Sequence, residues 1–294
     1  MQMNVFTIKD LENLSGIKAH TIRIWEQRYS FIKPQRTGTN IRFYSNDELR
    51  AILNIALLNK YGYKISHIDK MNEADINGSI LNLTQDEAKQ DKAVKELIES
   101  MIYLDLVNLE KTIDIYIGVH GIEKTISQVF FPFLERIGIL WMTNHINPAQ
   151  EHLISNIIRQ KIIVGIENCR SPEYSAKSIL LFLPEGEYHE LGLLFIYYLL
   201  KQQNVHVLYL GANVPLKDVE YIVGLKQPDI LFTHVTSIPT GFQFDRFLNQ
   251  LNKSFKNVPI VISGWLAQQY KKEAPSNLSL KKSLQEVYSY ILSL

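Results

Sequence analysis

Residues 7–29 read TIKDLENLSGIKAHTIRIWEQRY and determine how the N-terminal quarter of the chain folds. Thr7 is a favourable N-cap for a first helix over residues 8–14, and Ser15-Gly16 ends that helix. A second helix, over residues 18–28, follows at once. Two short helices joined by a tight turn that contains glycine are typical of a helix-turn-helix.

The segment after these helices predicts a wing. Residues 37–40 carry turn chemistry between two short strand-like pieces, so residues 34–44 predict a hairpin. Ser45 then caps a helix that runs to about Tyr61, and Glu48 stands where it completes a capping box. A short helix over 65–71 closes the module, and the polar residues 72–84 predict a linker.

The remaining two thirds of the chain divide into a helical and an alternating part. Between residues 85 and 170 apolar residues recur at helical spacing, with breaks near Asp105, His120-Gly121 and residues 145–148, which predicts a four-helix bundle. From residue 175 strands and helices alternate in five βα units, typical of a doubly wound, flavodoxin-like α/β domain with a parallel sheet. The domains expected are therefore 1–72, 85–170 and 175–294.

The strands of the third domain are expected over 178–183, 205–210, 230–235 and 258–263, with a weak strand near Leu278. The helices between them are expected over 188–202, 216–225 and 242–255, and a last helix over 284–294. Open parallel sheets bind ligands at the carboxyl ends of their strands. The loops of interest are therefore 184–189, 211–215, 236–240 and 264–266.

The composition excludes several classes of protein. No apolar run approaches the length of a membrane span, and the N-terminus has no apolar signal core, so a cytoplasmic protein is expected. The single cysteine, Cys169, excludes an internal disulfide and a metal site built from several cysteines.

Charge is distributed unevenly along the chain. The first 71 residues carry eleven Lys and Arg against six Asp and Glu, a net charge of +5, whereas the whole chain carries +1. The remainder is therefore mildly acidic. A basic segment at one end fits a contact with nucleic acid, although a solvated basic face would have the same composition.

The helix-turn-helix sequence resembles the MerR family of DNA-binding regulators. The resemblance covers residues 5–71 and includes the wing, in Pro34-x-Arg36-Thr37 and Ile41-Arg42-x-Tyr44-Ser45. The version Ile-Arg-x-Trp-Glu-x-Arg-Tyr is similar to the light- and cobalamin-responsive branch of that family. The resemblance implies duplex DNA as the partner.

The residue types of the module agree with this interpretation. A recognition helix needs polar or short side chains near its start to reach base edges, and four residues provide them: Lys18, His20, Thr21 and Arg23. Four further groups suit contacts with phosphates: Arg28, Arg36, Arg42 and the hydroxyl of Tyr44. The apolar positions at spacing i, i+3, i+7 predict core side chains: Ile22, Trp25 and Tyr29.

Two motifs resemble the CarH-type adenosylcobalamin photoreceptors. Glu187-Tyr-His189-Glu-Leu-Gly192 is similar to the D/E-x-H-x-x-G motif of cobalamin domains, which implies that His189 is the lower axial ligand of cobalt and Glu187 orients it. Trp141, nine residues and then Glu151-His152 resemble the residues that cover the upper face. Further contacts implied by the resemblance come from Val214, Thr236 and Gly264. The simpler alternatives are a core tryptophan, a solvated helix start and a histidine that caps a helix.

Two positions depart from the cobalamin-domain pattern. His234-Val235-Thr236 replaces the usual S-x-L or S-x-T, and Gly264-Trp265 replaces Gly-Gly. In that family both positions line the slot for the nucleotide tail of the cofactor, and the imidazole and the indole are expected to add bulk there.

Three classes of function follow. The first is a repressor that senses adenosylcobalamin, and light through the Co–C bond, as a dimer or tetramer. The second is a regulator whose sensor domain no longer binds cobalamin and acts through oligomerisation or a protein partner, which His234 and Trp265 favour. The third is a cobalamin enzyme, against which the basic N-terminus and the lack of a separate catalytic domain both argue. The chain is therefore expected not to be an enzyme.

Overall fold

The computed structural model describes residues 6–83, 85–142, 147–169, 176–236 and 242–294, with only the backbone described for residues 139–142. The chain forms two compact units, residues 1–158 and residues 159–294. One long helix crosses the boundary between them.

The N-terminal part of the first unit is a winged helix-turn-helix, as predicted. Its elements are α1 (Ile8–Ser15), α2 (Ala19–Arg28), β1 (Gln35–Arg36), β2 (Arg42–Phe43), α3 (Asn46–Lys60) and α4 (Ile65–Ile68). Thr7 and Ser45 each form the capping box that starts a helix, with Asp10 and Glu48 as their partners. Leu11, Ile22 and Leu49 are fully buried and form part of the core of this module.

The prediction of a linker over 72–84 is wrong for most of that segment. Residues Glu73–Leu81 form helix α5, which begins at a third capping box, between Asn72 and Asp75. Ile80 is buried and α5 packs against α3, while most other positions of α5 face solvent. A helix that buries a single apolar side chain has almost no hydrophobic periodicity, so its sequence resembles a loop.

The helical region of the first unit contains the four predicted helices. These are α6 (Asp86–Tyr103), α7 (Leu106–Thr125), α8 (Phe131–Met142) and α9 (Pro148–Asn168), with a π-helical segment, Ile126–Phe130, before α8. The expected break at His120-Gly121 is a kink at Gly121, where φ is +80°. Within this unit α1 packs against α8 and α3 packs against α6, so the winged module and the helical region share a core.

The second unit is the expected doubly wound α/β domain. Its strands are β3 (Ser178–Pro184), β4 (His206–Val214), β5 (Ile230–His234), β6 (Ile260–Ser263) and β7 (Leu278–Leu280). Its helices, after the end of α9, are α10 (Leu191–Gln202), α11 (Leu216–Lys226), α12 (Phe244–Ser254), α13 (Trp265–Gln269) and α14 (Leu284–Leu292). All strand pairs are parallel and the order is β4-β3-β5-β6-β7. The short helix α13 was not expected from the sequence.

The two faces of this sheet are covered by different helices. One face contributes residues such as Leu180, Leu231 and Ile260 to a core cluster that also includes side chains of α11 and α12. The other face contacts α10, which packs beside α14. The strand order reverses between β3 and β5, and open α/β sheets bind ligands at such a switch point.

Within the ranges given above, no helix combines the length and the apolar character that crossing a bilayer requires.

Candidate functional site

The recognition helix α2 separates a buried face from a polar face. Ile22 and Trp25 are buried, whereas His20 and Arg23 are exposed and lie three residues apart, one turn along the helix. Thr21 is partly buried. This face presents short or cationic side chains to solvent, which is the arrangement that a base-reading helix requires.

Lys18 stands just before α2 and also has a local role. Its ammonium group lies 3.4 Å from the carboxylate of Glu12, which also pairs with Lys9 at 3.2 Å. The hydrogen bond from Lys9 is the main reason that the pKa of Glu12 lies below its usual range. Lys18 remains largely exposed, so its ion pair with Glu12 leaves the side chain at the surface.

Glu26 joins the recognition helix to the wing. Its carboxylate accepts a hydrogen bond from Nε of Arg42 at 3.0 Å and a short one from the hydroxyl of Tyr44. Glu26 is nearly buried, and both partners lie on or next to β2. The sequence interpretation overlooked Glu26; the one indication was an acidic residue on a helix whose other charged side chains, Arg23 and Arg28, are basic and exposed.

The expected phosphate contact from Tyr44 is wrong. Tyr44 is fully buried and its hydroxyl is bonded to Glu26, so it belongs to the core of the module. Burial, followed by the hydrogen bond to Glu26, raises the pKa of Tyr44 above its usual value. Arg42 is also paired with Glu26, and its side chain is partly buried.

The other phosphate candidates lie at the surface. Arg28 and Arg36 are exposed, and Arg36 donates to the side-chain oxygen of Asn40 at 2.7 Å, across the turn of the wing.

Tyr29, predicted as a core residue, is only partly buried and stacks on Phe31 with ring centroids 5.5 Å apart.

The upper-face candidates belong to the first unit. Glu151 and His152 lie in the first turn of α9, and their side chains are 3.1 Å apart. His152 is 72% exposed. Trp141 lies near the end of α8, and its side chain is outside the described part of the chain.

Glu187 is the centre of the candidate site in the second unit. Its side chain is fully buried and accepts hydrogen bonds from the backbone N–H and from Nδ1 of His189, at 2.9 and 2.6 Å. It also accepts a bond from the backbone N–H of Thr236 at 2.9 Å. One carboxylate therefore links the loop after β3 to the loop after β5, on the two sides of the switch point.

His189 is oriented by this carboxylate while its ring stays accessible. The His189 side chain is 55% exposed although its partner is buried. A ring that donates from Nδ1 to a carboxylate carries the lone pair on Nε2, which is the tautomer that a metal requires. The pairing of Glu187 with His189 thus has the chemistry expected of an oriented axial ligand.

The adjacent residue, Glu190, anchors the same loop. Its carboxylate accepts a hydrogen bond from Nε of Arg159 at 2.7 Å and from the hydroxyl of Tyr209 at 2.6 Å. Burial and the bond to Glu190 raise the pKa of Tyr209 above its usual value. The sequence motif includes Glu190 only as an unspecified position, so this anchor was not predicted.

The departure at His234 has a clear structural result. His234 lies at the end of β5, and its imidazole packs against the start of α10: a Cβ built on Gly192 would be 2.5 Å from Cδ2 of His234. Nδ1 of the same ring is 2.8 Å from the hydroxyl of Ser263. The bulk expected at this position is present.

The departure at Trp265 has a different result. Trp265 is 57% exposed at the start of α13, so the expectation that its indole fills the slot is wrong. Gly264 before it has φ +99°, and a Cβ there would lie 2.8 Å from the backbone carbon of Val235. Local chain packing is therefore sufficient to explain this glycine.

Val214 ends β4, where it pairs with Pro184, and packs on the core cluster.

The structure thus brings together one subset of the predicted residues. Glu187, His189, Gly192 and Thr236 surround the switch point between β3 and β5. Among the described residues, no group of three or more His, Cys, Asp or Glu is arranged to hold a metal ion. A metal held here through His189 would therefore have to bring further ligands of its own, as a corrin does.

Comparison with protein families assigns the first unit to two known types of domain. Residues 6–75 match the family described as MerR HTH family regulatory protein. Residues 92–164, which include most of α6 to α9, match the family described as B12 binding domain. The winged module is therefore a MerR-type helix-turn-helix, and the helical region is of the B12-binding type.

Two curated relatives match most of the chain. The HTH-type transcriptional repressor CarA of Myxococcus xanthus is 26% identical over 271 residues, covering 90% of this chain and 88% of CarA. The HTH-type transcriptional repressor CarH of the same organism is 25% identical over 278 residues, covering 92% of each chain. This chain is homologous to both repressors over most of its length.

A solved structure shares the fold of much of this chain. The monomethylamine corrinoid protein of Methanosarcina barkeri superposes with a TM-score of 0.55 at 12% sequence identity, covering 71% of this chain and 99% of that protein.

Proposed function

Since this chain is homologous over most of its length to two HTH-type transcriptional repressors, we propose that it is a DNA-binding repressor that senses a cobalamin. The observation that carries the proposal is the exposed, basic face of α2 in a MerR-type module that shares a core with a B12-binding-type helical region. Such a repressor acts in the cytoplasm, on operators whose inverted half-sites match a symmetric oligomer.

In this proposal, the polar residues of the winged module have two different roles in binding DNA. His20, Thr21 and Arg23, with Lys18 before them, face the base edges, and Arg28 and Arg36 face phosphates. Arg23 is the most informative position because it is exposed on the recognition helix and carries the guanidinium group that can read a guanine edge. A bidentate contact of arginine with guanine contributes about 1–3 kcal/mol to the choice of base.

The test begins by selecting bound fragments from random duplex DNA with the full-length protein. We expect inverted half-sites, and an affinity that falls steeply with salt because phosphates are neutralised. Arg23→Ala is expected to lose about 1–3 kcal/mol of binding free energy at the selected site. Arg246→Ala, which removes an exposed arginine from α12, is the matched control and is expected to leave affinity unchanged. Equal affinity of the Arg23→Ala and Arg246→Ala proteins would contradict the assignment.

The sensing part rests on Glu187 and His189. The buried carboxylate fixes the imidazole in the tautomer with its lone pair on Nε2, so the ring is ready to coordinate without further rearrangement. When bound, adenosylcobalamin supplies a Co–C bond that light breaks. By resemblance, Trp141, Glu151 and His152 cover the upper face, and Val214, Thr236 and Gly264 line the corrin.

The corrinoid part is tested by the absorption spectrum of the full-length protein with adenosylcobalamin and hydroxocobalamin. We expect a bound spectrum in which a protein imidazole is the lower ligand, and its loss in His189→Ala. His206→Ala, an exposed histidine at the start of β4, is the matched control. An unchanged spectrum in His189→Ala would remove His189 from the site.

A second candidate function is favoured by the position of His234. Its imidazole occupies the space beside Gly192, at the start of α10, as expected in a sensor domain that has lost cobalamin. In that case the chain is a MerR-type regulator controlled by oligomerisation or a protein partner. Tight DNA binding with no spectral change from any corrinoid would favour it.

A further inference from the structure

The switch-point crevice of this domain is closed by one of its own side chains. Gly192, in the first turn of α10, and His234, at the end of β5, lie on its two sides. A Cβ built on Gly192 would lie 2.5 Å from Cδ2 and 3.2 Å from Cε1 of His234. The volume that glycine leaves open is therefore filled by the imidazole.

The imidazole is held there by specific interactions. Its Nδ1 is hydrogen-bonded to the hydroxyl of Ser263, at the end of the neighbouring strand β6. Burial lowers the pKa of His234 to about 4, and the nearby Glu187 opposes this only in part, so the ring is neutral at pH 7. A neutral ring with a hydrogen-bond partner is stable in a close-packed interior.

By resemblance to cobalamin domains, the filled volume corresponds to the slot for the nucleotide tail. Cobalamin carries a nucleotide tail on the lower face of the corrin, and the base of that tail can occupy the lower axial position. If His189 takes the axial position instead, the base must leave it and the tail must pass beside His189. Gly192 is three residues after His189, and the space above it holds His234.

Resting on the corrinoid-sensing function proposed above, we propose that His234 excludes the nucleotide tail and makes this domain selective for corrinoids that lack one. A corrin without a tail needs only the imidazole of His189. A complete cobalamin binds through His189 only by expelling His234 and breaking its hydrogen bond to Ser263. His234 is therefore a specificity-determining residue of the site.

The experiment titrates the full-length protein with hydroxocobalamin and with aquacobinamide, which has the same corrin but no nucleotide. The visible spectrum reports coordination by imidazole. We expect the wild-type protein to bind cobinamide more tightly than cobalamin. His234→Ser, which opens the volume and restores a small hydroxyl, is expected to raise the affinity for cobalamin about tenfold and to leave that for cobinamide unchanged.

Three controls make the result specific. His189→Ala is expected to lose both ligands, whereas His206→Ala, on the same domain, keeps both and excludes coordination by surface histidines. Ser263→Ala loosens His234 without changing it and is expected to shift the preference in the same direction. It keeps the proposal testable if His234→Ser melts early in circular dichroism.

The outcomes separate this proposal from the proposed function. If the wild-type protein prefers cobalamin, or if His234→Ser changes both affinities equally, the role of His234 is overturned and corrinoid sensing stands. If neither corrinoid binds to the wild-type, His234→Ser or Ser263→Ala protein, corrinoid sensing itself is overturned, and tail selectivity with it.

Discussion

The imidazole of His234 occupies the space that a side chain at position 192 would need. Both positions are therefore sensitive to a change in side-chain size. The same crevice contains a buried carboxylate, Glu187, which accepts hydrogen bonds from two different loops. Single residues therefore determine both the shape and the charge of the site, and each can be tested separately.

Gly192→Ala is expected to destabilise the protein by about 1–3 kcal/mol, because the added methyl group overlaps the ring of His234. In a His234→Ala background the same change is expected to be neutral or to stabilise by up to about 1 kcal/mol, because alanine favours the helix more than glycine does. Urea unfolding of the four proteins gives the coupling free energy. Additive effects of the two substitutions would show that the contact has no energetic weight.

The pKa of His234 predicts a dependence of stability on pH. The folded protein binds a proton at about pH 4, whereas the unfolded chain binds one near 6.5, so the unfolded state holds more protons between these values. The contribution of His234 to stability is therefore complete above about pH 6.5 and is lost as the pH falls towards 4. Measured against His234→Gln, the free energy of unfolding of the wild-type protein is expected to fall across this window. Parallel curves for the wild-type and His234→Gln proteins would contradict the prediction.

At the scale of elements, the wing is fixed to the recognition helix through Glu26. The caps at Thr7 and Ser45, the two helices, the wing and the order of the βα units could be predicted because each has a local pattern. Glu26 and Tyr44 could not, because their pairing joins residues 18 positions apart. Helices α5 and α13 were missed because they are short or bury one side chain each. The sequence motif predicted that both His234 and Trp265 would add bulk at the site. That only His234 does so depends on the packing of α13, which leaves Trp265 exposed.

Glu26→Ala is expected to destabilise the protein by about 1–3 kcal/mol, since it leaves the buried hydroxyl of Tyr44 without its partner and removes the ion pair of Arg42. DNA affinity is expected to fall as well, because the wing loses its attachment to α2. Glu26→Gln keeps a hydrogen-bond acceptor and is expected to cost less. Urea unfolding and fluorescence anisotropy with duplex DNA measure the two effects. A Tyr44→Phe/Glu26→Ala protein no more stable than the Glu26→Ala protein would show that the buried hydroxyl is not the cause.

At the scale of the whole molecule, the helical region and the winged module are in direct contact within the first unit. Helix α8, whose last turn includes Trp141, packs against α1 of the winged module. A second contact joins α3 to α6, where Asp91 pairs with Lys60 and accepts a hydrogen bond from Tyr61 at 2.7 Å. The winged head therefore has no independent position in this unit, and movement of the helical region changes the presentation of α2.

The last prediction concerns light and assembly. We expect a corrin bound to His189 and covered by Trp141, Glu151 and His152 to favour the arrangement of the chain that contacts it on both faces. By linkage, that arrangement gains stability with cofactor concentration, and any oligomer that requires it gains stability equally. Adenosylcobalamin in the dark is therefore expected to give a larger species and tight DNA binding, and light, by removing the adenosyl group, is expected to reverse both.

The measurement is size-exclusion chromatography in the dark and after illumination, with and without adenosylcobalamin. A parallel gel-shift assay uses the selected operator. His189→Ala is the control, since it should elute alike in all four conditions. The same elution volume for wild-type protein with bound cofactor in the dark and in the light would contradict the switch. The proposal that α2 binds DNA would stand after that outcome, because it rests on the exposed face of the helix and not on the light response.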